Sequence, residues 1–302
     1  MNEFLQQIIN GLALGAIYAL IALGYTMIYG VLRFINFAHG DVFMVGAYIG
    51  YYAYPKLVAA AGDGYTAAAG VLLAAMLGCG LLGVIIEFLA YRPLRNRPKL
   101  TVLITAIGVS LFLEYTGQLP MVFGADYKTF PTLVPYTSLV DAGGIHLSSN
   151  DVLVFVVAIS LMVLLRIIVM NTKIGTAMRA VSMNMSAASL MGININRVIS
   201  FTFFLGSALA GAGAILFSMS YPKINPLMGI LPGLKAFVAA VLGGIGHIPG
   251  AAAGGFLIGI AETLTAGYVS PGLRDAIVFG ILILILILKP SGLFGRGGAE
   301  KV

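Results

Sequence analysis

From Phe279 to Leu288 the chain reads FGILILILIL, and from Ala69 to Gly78 it reads AGVLLAAMLG. Neither run carries a charge, and neither shows the apolar–polar alternation of a lipid-facing barrel strand. A backbone in hydrocarbon must satisfy its own N–H and C=O groups, so runs of this kind read as helices. They set the character of the whole chain: 60% of its 302 residues are hydrophobic and only 9% are charged. A soluble core of this size needs a larger charged shell. The sequence therefore predicts an all-α polytopic membrane protein, with residues 1–302 forming a single transmembrane domain.

A bilayer core of about 30 Å takes about 20 apolar residues per helix. Eight spans meet that length approximately: Ile8–Tyr29, Val42–Ala60, Thr66–Ala90, Leu100–Leu119, Val152–Met170, Val198–Ser220, Gly250–Tyr268 and Ala276–Leu288. A ninth apolar segment, Leu234–Leu242, is too short to cross and ends in GGIGHIPG, which predicts a broken or re-entrant half-helix.

The formal charge of +6 sits mostly in short loops, where it reads as a topology signal and not as a nucleic-acid surface. Arg92, Arg95, Arg97 and Lys99 have no acid beside them, nor do Lys173, Arg179 and Arg197 in the loop Asn171–Arg197. Lys289, Arg296 and Lys301 add a basic tail. These three segments are expected in the cytoplasm. The loop Pro120–Asp151 holds Asp126, Asp141 and Asp151 against Lys128 alone, and is expected outside. The N-terminus then lies outside and the C-terminus inside, although Lys223 and Lys235 fall outside and strain the scheme. The start, MNEFLQQII, lacks a basic region and a small-residue cleavage site, so no cleaved leader is expected. Cys79 has no intrachain disulfide partner, and His39, His146 and His247 show no metal-ligand spacing.

Polar residues interrupt the apolar runs in two places. The first holds Asn36, His39 and Asp41; the second holds His247 and Pro249. Polar groups in hydrocarbon are costly, so these should face protein or a water-filled path, or else cap the helix that follows. Glu262 has no partner nearby in sequence and stands out as a pathway or interhelix contact; Glu114 is expected near the outer mouth, and Glu87 beside Arg92. Gly24, Gly46 and Gly50 recur as Gly233, Gly255 and Gly259, a weak repeat of the type found in the two halves of transporters. In the loop 171–197, Met178, Val181, Met185 and Ala188 fall on one side of a helix, with Arg179, Ser182 and Ser186 towards the other and Gly192 as a stop. No glycine is followed by lysine, so the chain has no phosphate-binding loop of its own. Two function classes fit: a transport subunit driven by a partner's ATP, or a self-sufficient secondary transporter or channel built on Glu114, Glu262 and the histidines.

The stretches LGYTMIYGVLRFINFAHGDVFMVGAY, AYRPLR, AASLMGININRV, INPLMGILPGLKAFVAAVLGGIGHIPGA and KPSGLFG resemble a LivH-type permease of branched-chain amino-acid ABC importers. The likeness runs across nearly the whole chain. It implies the importer permease fold and no catalysis or cofactor on this chain, with ATP and Mg held by partners. It implies a second homologous permease, two ATPases and an extracytoplasmic binding protein in a bacterial inner membrane. It also implies that SAASLMG is the ATPase-docking element, with Ser186, Ala187, Ala188 and Gly192 in the register of E-A-A-x-x-x-G and serine in place of the glutamate. Arg179 belongs to the same coupling loop. Asn36, His39, Asp41, His247 and Glu262 are the expected pathway residues.

Overall fold

The computed structural model describes residues 2–95, 97–142 and 144–295. Arg296 and Lys301 lie outside the described residues. The helices are α1 (Asn2–Leu32), α2 (His39–Ala61), α3 (Tyr65–Ile86), α4 (Lys99–Gln118), α5 (Ser149–Asn171), α6 (Lys173–Met183), α7 (Met185–Leu190), α8 (Ile195–Ser220), α9 (Ile230–Gly243), α10 (Ile248–Tyr268) and α11 (Arg274–Leu288). A π-helical turn, Glu87–Tyr91, extends α3. Among the described residues, seven helical stretches have the length and composition to cross a membrane. Helix α2 is an eighth long helix, so each of the eight spans read from the sequence corresponds to one helix.

Helix α1 forms the axis. Its apolar stretch is almost entirely buried, whereas those of α4, α5 and α11 are mostly exposed and face outward. Glycines let neighbours approach α1 closely, the usual device for packing helices in lipid. A Cβ placed on Gly259 of α10 would sit 2.4 Å from Gly15 Cα, and one on Gly255 would sit 2.5 Å from Ala19 Cα. On the other flank, a Cβ on Gly24 would meet the Gly206 carbonyl of α8 at 2.8 Å. Helix α8 in turn packs on α3, where Gly211 abuts the Ala75 backbone. The repeat pairs Gly46/Gly50 and Gly255/Gly259 thus supply the close-packing faces of α2 and α10, each being the helix that follows a chain break.

The ends of the bundle separate by charge. At the amino-terminal face, Gln6 Nε2 donates to the His146 carbonyl at 3.0 Å, and the His146 N–H donates to Gln6 Oε1 at 2.8 Å. That ties the start of α1 to the antiparallel hairpin β2 (Ser138–Ala142) and β3 (Ile145–Ser148). A second short pair, β1 (Lys128–Thr129) with β4 (Lys223–Ile224), fastens the same loop to the end of α8. At the opposite face, Arg95 reaches Asn196 at 2.8 Å and the Leu293 N–H donates to the Leu242 carbonyl at 2.7 Å. The basic segment 92–99, the loop 171–197 and the last described residues therefore share one face, as the charge pattern requires.

Two expectations change. Lys235 does not lie in an external loop. It sits in the second turn of α9 and is buried. Helix α9 is the predicted half-helix, but it begins at Ile230, four residues earlier than expected. Its interruption before α10 lies at the basic face, beside Gly30 and Gly295. The deeper end of α9 is its start, where Gly229 and Gly233 press on Gly40 of α2.

The packing yields a graded test. Gly259→Ala must push α10 away from backbone atoms of α1, whereas Gly108→Ala on α4 meets nothing within 4 Å. Overpacking costs about 1–3 kcal/mol, while removing an unneeded helical glycine gains about 0.5–1 kcal/mol. Thermal unfolding of the detergent-solubilised protein should show a lower Tm for Gly259→Ala and an equal or higher Tm for Gly108→Ala.

Candidate functional site

The first polar interruption folds back into the bundle. After Leu32 the chain turns through Arg33, at φ 56°, and α2 starts at His39. The His39 ring lies edge-on to Tyr25 at 4.6 Å, inside the span of α1, and is fully buried against Gly24. Neither His39 nitrogen has a hydrogen-bond partner among the described residues. Asn36 accepts a 2.6 Å hydrogen bond from the Tyr91 hydroxyl, which fixes the turn to the end of α3. Asp41 does not cap α2. Ala38 occupies that position without a side-chain bond, and the Asp41 carboxylate accepts from the Ser110 hydroxyl at 2.5 Å instead. Ser110 is near the middle of α4. Asp41, Ser110, Glu114, Tyr25 and the first turn of α9 enclose a cavity of about 100 Å³. The N-termini of two helices thus meet within the span at a pocket whose wall carries the Asp41, Ser110 and Glu114 side chains.

The second interruption lies elsewhere. His247 is exposed at the basic face, and its Nδ1 accepts from the Gly250 N–H at 3.0 Å, capping α10. Pro249 follows in the first turn of α10, where its missing N–H costs nothing. The structure does not bring His247 to the cavity at Asp41.

Glu262 has partners that the sequence reading missed. Lys235 Nζ donates to Glu262 Oε1 and lies 2.7 Å from Asp275 Oδ1, and the Tyr18 hydroxyl donates to Glu262 Oε2 at 2.9 Å. The Lys235 and Glu262 side chains are each 7% exposed. This cluster joins α1, α9, α10 and α11 and holds the half-helix against the axis. A lysine in an otherwise apolar half-helix and a glutamate in an otherwise apolar span, 27 residues apart, were the available signal. Glu87 is fully buried at the basic face, ion-paired with Arg92 at 3.5 Å and with Arg95, and it accepts from the Ser200 hydroxyl at 2.7 Å. That extends the expected Glu87–Arg92 pair to α8.

The loop 171–197 is two helices, not one. Thr172 caps α6, and Asn184 both breaks the helix and caps α7 by accepting from the Ala187 N–H at 3.0 Å. Of the predicted stripe, Met178, Val181 and Ala188 are buried and Met185 is half-buried, split between the two helices. Gly192 adopts φ +82°, and the Gly192 and Ile193 N–H groups close the last turn on Ser189 and Ala188. Ser186 and Ala187 are exposed, and Arg179 bonds its own helix at Thr176. The periodicity did not reveal Met183, Leu190 and Met191, which stand 82%, 89% and 83% exposed; the adjacent Leu190 and Met191 make an apolar knob on the basic face.

Breaking a buried ion pair by removing one partner costs about 3–5 kcal/mol, because the other charge stays behind. Lys235→Met should therefore lower the Tm of the solubilised protein sharply. The double variant Lys235→Met/Glu262→Met should recover most of the loss. A double variant as unstable as the sum of the single ones would show that the ion pair does not hold α9.

Comparison with known proteins agrees with this architecture. Residues 7–286 match the family model described as the permease component of branched-chain amino acid transport systems. The chain is 42% identical to the high-affinity branched-chain amino acid transport system permease protein BraD of Pseudomonas aeruginosa, covering 99% of this chain and 98% of that protein. It is 40% identical to LivH of Escherichia coli K12, described in the same words, again over 99% and 98%. A probable LivH of Methanocaldococcus jannaschii is 31% identical over 91% of this chain and 88% of that one. A central helix packed by glycine, a half-helix pinned by buried charge and a full-length family match lead to one conclusion: the chain belongs to the family of permease components of branched-chain amino acid transport systems.

Proposed function

We propose that this chain is a membrane-spanning subunit of an ATP-driven importer that carries branched-chain amino acids into the cytoplasm. Its full-length likeness to permeases for these substrates carries the reading. Two ATPases, a second homologous permease and an extracytoplasmic binding protein complete the assembly. The basic face lies in the cytoplasm, and the amino-terminal face, with the loop Pro120–Asp151, lies outside.

Two local features support the assignment. The knob at α7 presents Leu190 and Met191 to a soluble partner; Leu190 lines a cavity together with Arg97 and Lys99, and exposed apolar side chains beside basic ones suit docking to a protein better than free exposure to water. Asn194 caps α8 directly after the knob, so a push on α7 reaches a long helix that packs on both α1 and α3. The cavity at Asp41 lies where the N-termini of α2 and α9 meet, a place where a transport path can be polar without exposing backbone to lipid.

Proteoliposomes containing the chain alone should not accumulate leucine under a proton gradient, whereas the whole complex supplied with ATP should. In the complex, Asp41→Ala should lower uptake by more than it lowers membrane abundance. Robust uptake by the lone chain would establish a secondary transporter instead.

The coupling role has its own test at Gly192. Valine at φ +82° is strained by about 1–3 kcal/mol, while no atom lies within 4 Å of its Cβ, so the spans should stay folded. Gly192→Val membranes should lose ATPase subunits on washing, and substrate-stimulated hydrolysis should fall. Ser186→Ala serves as the mild control. Normal retention with normal stimulated hydrolysis would remove the loop from the coupling route.

A further inference from the structure

At the amino-terminal face two cavities of about 350 and 360 Å³ adjoin each other. They share Leu14, Tyr221, Glu262 and Arg274. Each is large enough for a small organic ligand. The charges around them are opposed and only partly used. Lys235 is committed to Glu262 and Asp275. Arg274 makes no hydrogen bond or ion pair among the described residues, and its Nε is buried without a partner. Ser148 caps α5, and Asp151 completes the capping box through Oδ2, accepting from Ser148 N at 3.2 Å and Ser148 Oγ at 2.6 Å, while its Oδ1 has no hydrogen bond among the described residues. Both Asp151 and Arg274 line the first cavity, together with Glu262.

Resting on the importer reading above, we propose that these cavities form a binding site for a free zwitterionic α-amino acid with an aliphatic side chain. Its carboxylate lies on Arg274, and its ammonium lies between Asp151 and Glu262. A guanidinium presents a planar fork of donors that matches a carboxylate. Arg274 is also the first residue of α11, whose free N–H groups and dipole favour negative charge there. Glu262 spends one bond on Lys235 and one on Tyr18, and a carboxylate has about four acceptor sites, so it can still take an ammonium. A lone anion would meet two carboxylates in the first cavity, and a lone cation would meet Arg274. A ligand with both charges answers both. The aliphatic part has Ala13, Leu14 and Ile17 on one side and Leu227 and Leu231 on the other. The site lies at the amino-terminal ends of α5 and α11 and the carboxy-terminal ends of α8 and α10, where substrate would first meet the bundle from outside.

The test uses the whole complex in nanodiscs, without its binding protein, and reads saturation-transfer NMR signals from the leucine methyl groups. 3-Methylbutylamine and 4-methylpentanoate, which each keep one charge, serve as competitors. Leucine should bind and neither analogue should compete well. Arg274→Gln should raise the half-saturating leucine concentration about tenfold, as expected for the loss of a charge-assisted bond. Arg274→Lys should recover part of it. Asp151→Asn keeps an oxygen that can accept from the Ser148 N–H and leaves the Ser148 cap in place, and it should also weaken binding, which gives a second reading if Arg274→Gln folds poorly. Wild-type leucine binding by both Arg274→Gln and Asp151→Asn, or competition by either analogue as strong as leucine's own, would overturn the site. If the complex imports leucine and both variants bind it normally, the site falls and the importer reading stands. If the complex imports a different neutral amino acid and Arg274→Gln weakens that ligand, the site stands and the branched-chain reading falls.

Discussion

Backbone contact between α1 and its neighbours is the constraint on which the rest of the structure depends. In lipid, apolar side chains gain little by touching one another, so helices associate through close van der Waals packing. Gly15, Gly24, Gly255 and Gly259 permit that approach on two flanks of one helix. An axis packed this tightly has few alternative arrangements. It fixes α8 and α10, which in turn place α3 and the half-helix α9.

Buried charge then does what glycine packing cannot. Helix α9 is only 14 residues long, about 21 Å, too short to span a bilayer core of about 30 Å. Lys235 ties it to α10 and α11, and the Tyr18 hydroxyl brings the same cluster to α1. The cluster also borders the two amino-terminal cavities, so one set of charges holds the half-helix and gives the cavity wall its polarity. Glu87 plays the corresponding structural part at the basic face, binding the end of α3 to α8 through Arg92, Arg95 and Ser200.

These features sit in series along the molecule. The zwitterion site opens on the amino-terminal face, the Asp41 cavity lies within the span, and the apolar knob stands on the basic face. Helix α8 runs past all three levels. It starts after the knob, passes Gly24 of α1 at Gly206, and ends beside Tyr221 at the amino-terminal cavities. A rigid helix of 26 residues is a direct mechanical route between the faces.

Helices, faces and the half-helix were legible in the sequence because each is a local or one-dimensional property. Apolar length sets a span, lysine and arginine in short loops sort the ends, and GGIGHIPG cannot continue a helix. Gly192 was legible for the same reason, since a helix stop needs only its own φ. Partners were not legible. Asp41 reads equally as a helix cap or a path residue until Ser110, 69 residues away, is found donating its hydroxyl to the carboxylate. His247 reads like His39 until one proves to be an exposed cap and the other a buried ring against Gly24. Lys235 reads as a loop charge until Glu262 and Asp275 are seen on either side of it. Sequence determines which residues cannot face lipid, because that cost belongs to each residue alone. Only the tertiary structure decides what each one faces instead, because that depends on how tightly the helices pack and in what order around α1.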